Sequence, residues 1–227
     1  MSTTRPPGEK AKKGYRGPGM EGFIARWYAR TTGRHMAGYR EGAEQVAARL
    51  PGGGRVLEVA PGPGYLAVEL AKLGPYRVTG LDISRTFVEM ARRNAGAAGV
   101  AVAFEHGNAA AMPFDAGSFD FVVCRAAFKN FSEPVAALNE MHRVLAPGGT
   151  ALVLDLRPDA SPAAIAEYVK GTGLGWFNSL LTKWTFKHIL LKRAYSQAQF
   201  REMVTQTPFR TCDIREDSIG LAVSLVK

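Results

Sequence analysis

The sequence predicts an α/β fold with a doubly wound, mostly parallel sheet, and three observations lead to this prediction. Residues 56–82 run in the order strand, glycine-rich turn, helix, strand and acid, which is how such a sheet begins. Short apolar strands then continue to alternate with helical segments as far as residue 156. Two further strands, 209–215 and 219–226, end the chain, so that the predicted strands number seven.

Apolar spacing, capping residues and glycine or proline breaks define the individual elements. Helices 20–31 and 37–50 come first, and the run Pro-Gly-Gly-Gly at 51–54 ends the second. Ser84 and Ser196 are predicted to cap the helices that follow them. The remaining elements are strand 56–59, helix 65–73, strand 76–82, helix 85–97, strands 100–106, 118–123 and 150–156, and helix 197–206.

Length and composition limit the class of protein. The 227 residues, 46% of them hydrophobic, fit one α/β domain with a sizeable core and some appendages. No apolar run reaches the roughly 18–20 residues of a membrane span, and the polar residues 1–19 do not form a secretory signal. The two cysteines, Cys124 and Cys212, have no metal-ligand spacing, and Cys124 is predicted to lie in a buried strand. We therefore expect a cytoplasmic protein without a metal site.

The net charge of +9 is unevenly distributed along the chain. Residues 1–50 contain ten Lys/Arg and four Asp/Glu, residues 51–155 nine and ten, and residues 156–227 ten and six. The basic ends could attract an acidic substrate, nucleic acid or an anionic membrane, or they could simply be solvated. Tyr15 is the only ring in the first 19 residues, which argues against a groove for single-stranded nucleic acid.

The turn at residues 60–64 is predicted to bind a nucleotide-like cofactor. Gly62 and Gly64 leave space for a ligand to lie against the backbone. The N-terminus of the following helix offers unpaired N–H groups to an anion. Asp82, at the end of the second strand, could accept hydrogen bonds from both hydroxyls of a ribose.

Two kinds of cofactor are compatible with this turn. The spacing Gly62-x-Gly64-x-x-Ala67, with Asp82 about 20 residues further on, matches the dinucleotide fingerprint and would suit an NAD(P)-dependent oxidoreductase. Glu58, however, would repel a pyrophosphate, whereas it suits a ligand with a cationic amino group. S-adenosylmethionine carries an ammonium, a carboxylate, a ribose and an adenine. The acid therefore favours S-adenosylmethionine.

Three motifs resemble class I S-adenosylmethionine-dependent methyltransferases, and together they cover residues 55–155. The first family motif, acid-x-Gly-x-Gly-x-Gly, corresponds to Glu58, Ala60, Gly62 and Gly64, with alanine in place of the first glycine. Residues 107–114 and 118–123 are similar to the second motif of the ubiquinone and menaquinone biosynthesis methyltransferases, with Asn108 in place of an acid. Residues 140–149 resemble the family's helix and the turn that enters strand five.

The resemblance implies a Rossmann-like methyltransferase fold, with an antiparallel strand at the C-terminal end of the seven-stranded sheet. It implies S-adenosyl-L-methionine as cofactor and S-adenosyl-L-homocysteine as product. Glu58 would hold the amino-acid end or order the turn, Asp82 would bind the ribose and Asn108 the adenine. Arg125 is a candidate for the methionine carboxylate, although an arginine at a strand tip could equally face solvent. The predicted cofactor-binding residues are Glu58, Ala60, Gly62, Gly64, Asp82, Ile83, Asn108, Ala109 and Arg125.

The substrate is predicted to be a small, apolar or aromatic metabolite. In the family, N-terminal segments fold over the cofactor, and the tip of strand four faces the substrate. The candidate substrate-binding residues are Tyr15, Tyr28, Phe128, Lys129, Trp176 and Trp184, although ordinary aromatic packing would also explain the rings. The motifs used to methylate nucleic-acid bases are absent. None of His35, His106, His142 and His188 is assigned as a general base.

An insertion at residues 157–195 separates strand five from the last helix. We expect residues 1–50 to form a basic tail and helical cover, 51–156 the cofactor-binding core, 157–195 a helical lid and 196–227 the rest of the core. Phe177, Leu180, Leu181 and Trp184 predict an amphipathic helix after a possible glycine hinge at 171–175. The helix could pack on the core, line an apolar substrate pocket or associate weakly with a membrane surface.

The function predicted from sequence is methyl transfer from S-adenosylmethionine to a small molecule, relying mainly on proximity and orientation. The acceptor atom and the oligomeric state stay open. Two alternatives remain at this point: an NAD(P)-dependent oxidoreductase, and a non-catalytic methyltransferase-like module that binds cofactor or RNA.

Overall fold

The computed structural model describes residues 14–17, 19–33, 36–171 and 176–227. The helices are α1 (Gly22–Thr32), α2 (Met36–Arg49), α3 (Tyr65–Lys72), α4 (Arg85–Ala97), α5 (Pro134–Val144), α6 (Pro162–Gly171), α7 (Trp176–Thr185), α8 (Leu191–Arg193) and α9 (Gln197–Thr205). The strands are β1 (Gly54–Val59), β2 (Tyr76–Asp82), β3 (Val102–His106), β4 (Phe119–Arg125), β5 (Leu145–Leu156), β6 (Thr211–Glu216) and β7 (Gly220–Val226). A 3-10 turn (Phe128–Asn130) follows β4, and a π-helical turn (Phe186–Leu190) joins α7 to α8.

The strands form one sheet in the order β3-β2-β1-β4-β5-β7-β6. Strands β1 to β5 pair in parallel, whereas β7 is antiparallel to both β5 and β6. The predicted fold class, a seven-stranded sheet with an antiparallel C-terminal strand, is confirmed. The direction of winding reverses between β1 and β4, and in such sheets ligands bind outside the carboxyl ends of the strands at this point.

Apolar side chains cover both faces of the sheet, as expected for a doubly wound fold. On one face, α5 and α9 contribute Leu138, Met141 and Phe200 to the larger hydrophobic cluster. On the other face, α2, α3 and α4 contribute Val46, Leu66 and Val88 among others to a second cluster. Cys124 in β4 is fully buried, as predicted, and both cysteines are free.

The predicted caps of α4 and α9 are present in the structure, and each helix start has a further hydrogen bond that was not predicted. The hydroxyl oxygen of Ser84 accepts from the backbone N–H of Phe87 at 3.1 Å, the simple cap that was predicted for α4. The carboxylate of Glu21 also accepts from the N–H groups of Arg85 (2.9 Å) and Thr86 (3.1 Å), and so ties the start of α1 to the start of α4. Ser196 forms a full capping box with Gln199.

Strand β5 is longer than predicted. It was expected to start at residue 150, but it begins at Leu145, which pairs with Phe119 at the start of β4. The register between β4 and β5 shifts after this pair, because Gly148 adopts a positive φ of 77° and the intervening residues bulge out of the ladder. The predicted glycine turn is therefore an irregularity inside the strand.

The inserted residues after β5 form α6, α7, the π-helical turn and α8. Helix α6 was not predicted from the sequence. Its Ile165 and Val169 pack with Ala160 and Phe186 in a small separate cluster. The hypothesis that α7 packs its apolar face on the core is wrong, because Leu180 and Trp184 are 60% and 54% exposed. No helix in the described part of the chain is long and apolar enough to cross a membrane.

Candidate cofactor and substrate site

The carboxyl ends of β1 and β4 lie side by side and are followed by two alanines in a left-handed conformation. Val59 pairs with Cys124, the last pair of this ladder. Ala60 has φ 57° and Ala126 has φ 58°, which places both in a region that costs an L-residue roughly 1–2 kcal/mol. Backbone strain of this kind concentrates at functional sites. The left-handed conformation of Ala60 explains why the methyltransferase motif that this turn resembles has glycine at this position.

Gly62 and Asp82 form a single unit at the end of β2. The backbone N–H of Gly62 donates to Oδ2 of Asp82 at 2.9 Å, and the N–H of Ser84 donates to Oδ1 at 2.8 Å. Burial raises the pKa of Asp82 to about 6, while these two hydrogen bonds oppose the rise. At neutral pH the carboxylate is mostly ionised, and each oxygen keeps a lone pair for a ligand hydroxyl.

The two glycines of the turn have different structural roles. A Cβ on Gly62 would meet no atom within 4 Å, so its face is open to a ligand. A Cβ on Gly64 would lie 2.8 Å from Cβ of Ala91 and 2.8 Å from Cζ of Phe104. The absence of a side chain at Gly64 therefore serves the packing of the turn against α4 and β3. The prediction that Gly64 leaves space for the ligand is wrong on this point.

Glu58 is a buried acid beside this turn. It is 3% exposed, and its Oε2 has no hydrogen-bond partner among the described residues. Burial raises the pKa of Glu58 to about 8, against the opposing effects of the Ala67 N–H and the Arg125 charge. A buried carboxyl oxygen without a partner suits a cationic group such as an ammonium, which would restore the ionised form.

The N-terminal segment lies over the predicted adenine position. A Cβ on Gly14 would come within 2.7 Å of Cδ1 of Ile83 and 2.8 Å of Cγ of Asn108. The Asn108 Oδ1 accepts from the N–H of Ala110 at 3.0 Å, which fixes the orientation of the amide. Ala109 packs against the larger hydrophobic cluster. The N-terminal segment therefore lies against two of the residues that are predicted to bind the cofactor.

The same segment is tied to the inserted helices. The N–H of Arg16 donates to the carbonyl oxygen of Asn130 at 2.7 Å, and Tyr15 pairs with Phe131 in an isolated β-bridge. Nη1 of Arg193, in α8, donates to the carbonyl oxygen of Arg16 at 3.1 Å. Residues 14–17 therefore bridge the tip of β4 and the insertion.

Three tyrosines and an arginine gather near Glu58 and Asp82. The Arg125 guanidinium carbon lies 4.8 Å from the centre of the Tyr39 ring, a cation–π geometry. Burial raises the pKa of Tyr28, and the neighbouring Tyr39 raises it further, against the charge of Arg125. Burial also raises the pKa of Tyr15, which lies near enough to Arg193 and Asp82 to be influenced by their charges. Of the predicted substrate residues, Tyr15 and Tyr28 are thus close to this site.

The structure contradicts the prediction that Phe128 and Lys129 bind the substrate, because both side chains are buried. Phe128 is fully buried in the core and stacks on Phe200 with ring centroids 5.0 Å apart, because the 3-10 turn rotates it inward. Lys129 is 3% exposed, and its Nζ donates to Oδ1 of Asp155 at 2.7 Å. A second hydrogen bond from Nζ reaches the carbonyl oxygen of the strained Ala126 at 2.6 Å. Neither side chain faces a substrate.

The two predicted tryptophans lie apart from the strand ends. Trp176 and Trp184 are 78% and 54% exposed, and their helix packs against α6 and the π-helical turn. This exposure does not support the prediction that Trp176 and Trp184 line an enclosed substrate pocket.

The histidines do not identify a general base. His106 Nε2 lies 3.1 Å from the carbonyl oxygen of Ile83, His142 packs edge-on against Phe209, and the His188 ring lies 5.2 Å from that of Trp184. His35 lies outside the described residues. Among the described residues there is also no group of three His, Cys, Asp or Glu side chains that could hold a metal ion.

Asp155 is the main residue that the sequence interpretation missed. It accepts from the backbone N–H of Lys129 at 2.9 Å as well as from its ammonium, and it is 8% exposed. It ends the apolar run of β5 as Asp82 ends that of β2, so the same signal could have identified it. Asp155 holds the 3-10 turn and, through Lys129, the strained backbone after β4.

The comparisons with known proteins agree with this geometry. Residues 57–153 match the methyltransferase domain family. The chain is 37% identical over 164 residues to a demethylmenaquinone methyltransferase of Deinococcus radiodurans, which covers 69% of this chain and 67% of that protein. It is 42% identical over 105 residues to the demethylmenaquinone methyltransferase of Thermus thermophilus. That match covers 46% of this chain and 48% of the relative.

The fold is similar to that of a solved structure over most of both chains. A crystal structure described as that of an S-adenosyl-L-methionine-dependent methyltransferase of Methanococcus maripaludis has a TM-score of 0.75 with this chain. The likeness covers 93% of this chain and 95% of the other, at 19% identity. At that identity it concerns the fold alone.

Proposed function

The chain belongs to the class I S-adenosylmethionine-dependent methyltransferases, and we propose that within this family it methylates a hydroxylated aromatic ring of the quinol class. The observation that carries the proposal is the 37% identity that extends over two thirds of a demethylmenaquinone methyltransferase. The tyrosine-rich surroundings of Arg125 support it, because an aromatic ring packs favourably edge-on or offset against other rings.

The cofactor is S-adenosyl-L-methionine, and the residues proposed to hold it fit its groups. Glu58, buried and with one oxygen unpaired, would receive the ammonium. The open face of Gly62 would lie against the ligand, and the ionised Asp82 would accept from the ribose hydroxyls. Asn108 and Ile83 would contact the adenine. Arg125, held over Tyr39, would reach the methionine carboxylate.

The chemical work of the chain is positioning and the exclusion of water. When bound, the cofactor supplies a methyl group on a positively charged sulfur, which a nucleophile can displace in line. Residues 14–17 would cover the adenosyl part, since a Cβ on Gly14 would lie within 2.7 Å of Ile83 and 2.8 Å of Asn108. Tyr15, Tyr28 and Tyr39 would orient the acceptor ring. Fixing both reactants in this way can account for most of the acceleration.

Family membership decides between the alternatives raised by the sequence. An NAD(P)-dependent oxidoreductase is contradicted, because the chain matches methyltransferases over the whole cofactor-binding core rather than over the glycine turn alone. A non-catalytic module is likewise contradicted by enzymatic relatives that share 37–42% identity. That nucleic acid is not a substrate stays a prediction.

The proposal is tested with the full chain and S-adenosylmethionine carrying a labelled methyl group. Short-chain demethylated naphthoquinol and benzoquinol, kept reduced, are compared with a simple phenol, a catechol and an aromatic amine. We expect label in a quinol, and the position of the methyl group then follows from NMR of the product. Transfer to the amine alone would overturn the proposed substrate class. Asp82→Asn, which is expected to bind the cofactor more weakly, serves as the matched control.

A further inference from the structure

All three tryptophans of the chain are more than half exposed. Trp27, Trp176 and Trp184 have 53%, 78% and 54% of their surface accessible. Tryptophan is highly buried on average in proteins that contact only water, and it is enriched where a protein meets the interface of a membrane. These three residues lie on just two helices, α1 and α7.

Helix α7 presents a continuous apolar stripe. Trp176, Leu180 and Trp184 are spaced four residues apart and therefore lie on one face of the helix. Leu180 is 60% exposed and the adjacent Leu181 is 44% exposed. The helix packs against α6, while Trp176, Leu180 and Trp184 all stay more than half exposed.

Helix α1 has a similar face. Ala25 and Ala29 are buried, whereas Phe23, Ile24 and Trp27 are 75%, 43% and 53% exposed. Helix α6 lies near both helices: its Tyr168 is close enough to Tyr28 in α1 to influence the ionisation of that phenol, and the Tyr168 ring lies 5.6 Å from that of Phe186 after α7.

The charge around these faces is positive. Between Glu167 and Glu202 the sequence contains six lysines and arginines and no acid. Lys183, Lys187 and Lys192 of this run are exposed. On α1, Arg26 and Arg30 are exposed beside Trp27. Exposed tryptophan and leucine flanked by lysine and arginine is the composition of a helix that lies in the headgroup region of an anionic bilayer.

We propose that α1 and α7 dock on the surface of an anionic phospholipid bilayer, with their tryptophans at the level of the headgroups. A second copy of the chain fits this face less well, because a two-fold interface would bring the same lysines against each other. If the proposed function holds, docking would place the site next to a lipid-dissolved quinol, but the docking itself rests on the exposed residues and not on that substrate.

The first experiment mixes the full chain with vesicles of pure phosphatidylcholine and with vesicles containing 30% phosphatidylglycerol, followed by flotation. We expect the protein to float with the anionic vesicles and to be released at 0.5 M salt. Tryptophan emission should shift to shorter wavelength on binding, because every tryptophan lies on the proposed face. Protein that stays in the non-floating fraction with an unchanged spectrum would overturn the proposal.

Two exposed double variants identify the surface while keeping the tryptophan reporters. Leu180→Ser/Leu181→Ser removes apolar contact, and Lys183→Gln/Lys187→Gln removes charge. Each is expected to weaken binding to anionic vesicles at least tenfold. Leu73→Ser, 43% exposed at the end of α3, and Arg77→Gln/Arg93→Gln are the matched controls, which should bind as the parent does. Equal binding by all variants would contradict the assignment of this face.

Further measurements separate the possible outcomes. Circular dichroism checks that each variant is folded. Analytical ultracentrifugation tests the rival occupant: a dimer that the same two double variants disrupt would overturn membrane docking. Methyl transfer to a short-chain quinol in the absence of vesicles should be unchanged in both variants. If the parent fails to bind vesicles but methylates the short-chain quinol, membrane docking is overturned and the proposed function stands. If the parent binds vesicles but does not methylate the quinol, only the proposed substrate class is contradicted.

Discussion

The backbone N–H of Gly62 donates a hydrogen bond of 2.9 Å to Oδ2 of Asp82, so the turn after β1 and the acid that ends β2 are joined before any ligand arrives. The N–H of Ser84 holds the other oxygen at 2.8 Å. The carboxylate is therefore already oriented, and a ribose would meet an acceptor that needs no further ordering.

Asp82→Asn tests this carboxylate. The amide offers one acceptor oxygen instead of two and lacks the charge, so it cannot serve both N–H groups and two ligand hydroxyls. We expect the binding of S-adenosylhomocysteine to weaken by about 2 kcal/mol, roughly thirtyfold, as measured by calorimetric titration. Asp159→Asn, at an exposed acid in the insertion, is the control and should bind normally. An unchanged dissociation constant for Asp82→Asn would remove this residue from the site.

Gly62→Ala and Gly64→Ala should separate binding from stability. Both positions have positive φ, 55° and 78°, but only the Cβ at Gly64 would collide with Ala91 and Phe104. Gly62→Ala is expected to lower the free energy of unfolding by only about 1–2 kcal/mol and to abolish most cofactor binding. Gly64→Ala should lower it by roughly 3 kcal/mol or more, because overpacking adds to the strain. Urea denaturation and calorimetry measure the two effects, and equal losses in both variants would contradict this division.

Ala60→Gly should relieve strain after β1. Glycine adopts φ 57° without a Cβ clash, although it also loses more chain entropy on folding. The balance is expected to raise the free energy of unfolding by up to about 1 kcal/mol. Ala166→Gly, within α6, provides the opposite control and should lose about 1 kcal/mol. Destabilisation of Ala60→Gly to the same extent as the control would show that Ala60 is not strained.

Local patterns in the sequence were sufficient for the cofactor half of the protein. Apolar spacing and two glycines are enough to predict the order β1, turn, α3, β2 and Asp82. Each of these elements follows the previous one within a few residues. Because parallel strands place their carboxyl ends at one edge, a list of strand tips already approximates the site. This is why Glu58, Gly62 and Asp82 could be predicted as candidate site residues from the sequence.

Contacts between distant residues could not be predicted in the same way. Glu21 caps α4 from 64 residues away, and Asp155 binds Lys129 across 26 residues. Phe128 was assigned to the substrate because it follows a strand tip, but the 3-10 turn directs its ring into the core. The spacing of apolar residues in α7 identified one face of a helix. It could not reveal whether other residues cover that face.

The buried pair of Lys129 and Asp155 should behave as a unit. The two side chains are each 3% exposed, so removal of one partner leaves a buried charge uncompensated. Lys129→Met and Asp155→Asn are each expected to lower the free energy of unfolding by about 3–5 kcal/mol. The double variant should be less destabilised than the sum of the two. Additive losses in urea denaturation would contradict the coupling.

The raised pKa of Glu58 makes the stability of the protein depend on pH. Burial raises this pKa from the ordinary 4.5 to about 8, so the folded protein holds a proton that the unfolded chain has lost. The resulting stabilisation is complete below pH 4.5 and disappears as the pH rises through 8. Asp82, with a pKa of about 6, contributes in the same direction at lower pH, so the range from pH 6 to pH 9 isolates Glu58.

Over this range the free energy of unfolding of the parent should fall by roughly 2.5–3 kcal/mol relative to Glu58→Gln, whose amide does not ionise. An ammonium placed beside Glu58 would favour the carboxylate, so the binding of S-adenosylhomocysteine at pH 7 should release up to about one proton. Calorimetric titrations in phosphate and Tris buffers, which differ in ionisation enthalpy, measure that number. Equal heats in the two buffers, together with parallel stability curves for the parent and Glu58→Gln, would mean that Glu58 is already ionised in the free protein.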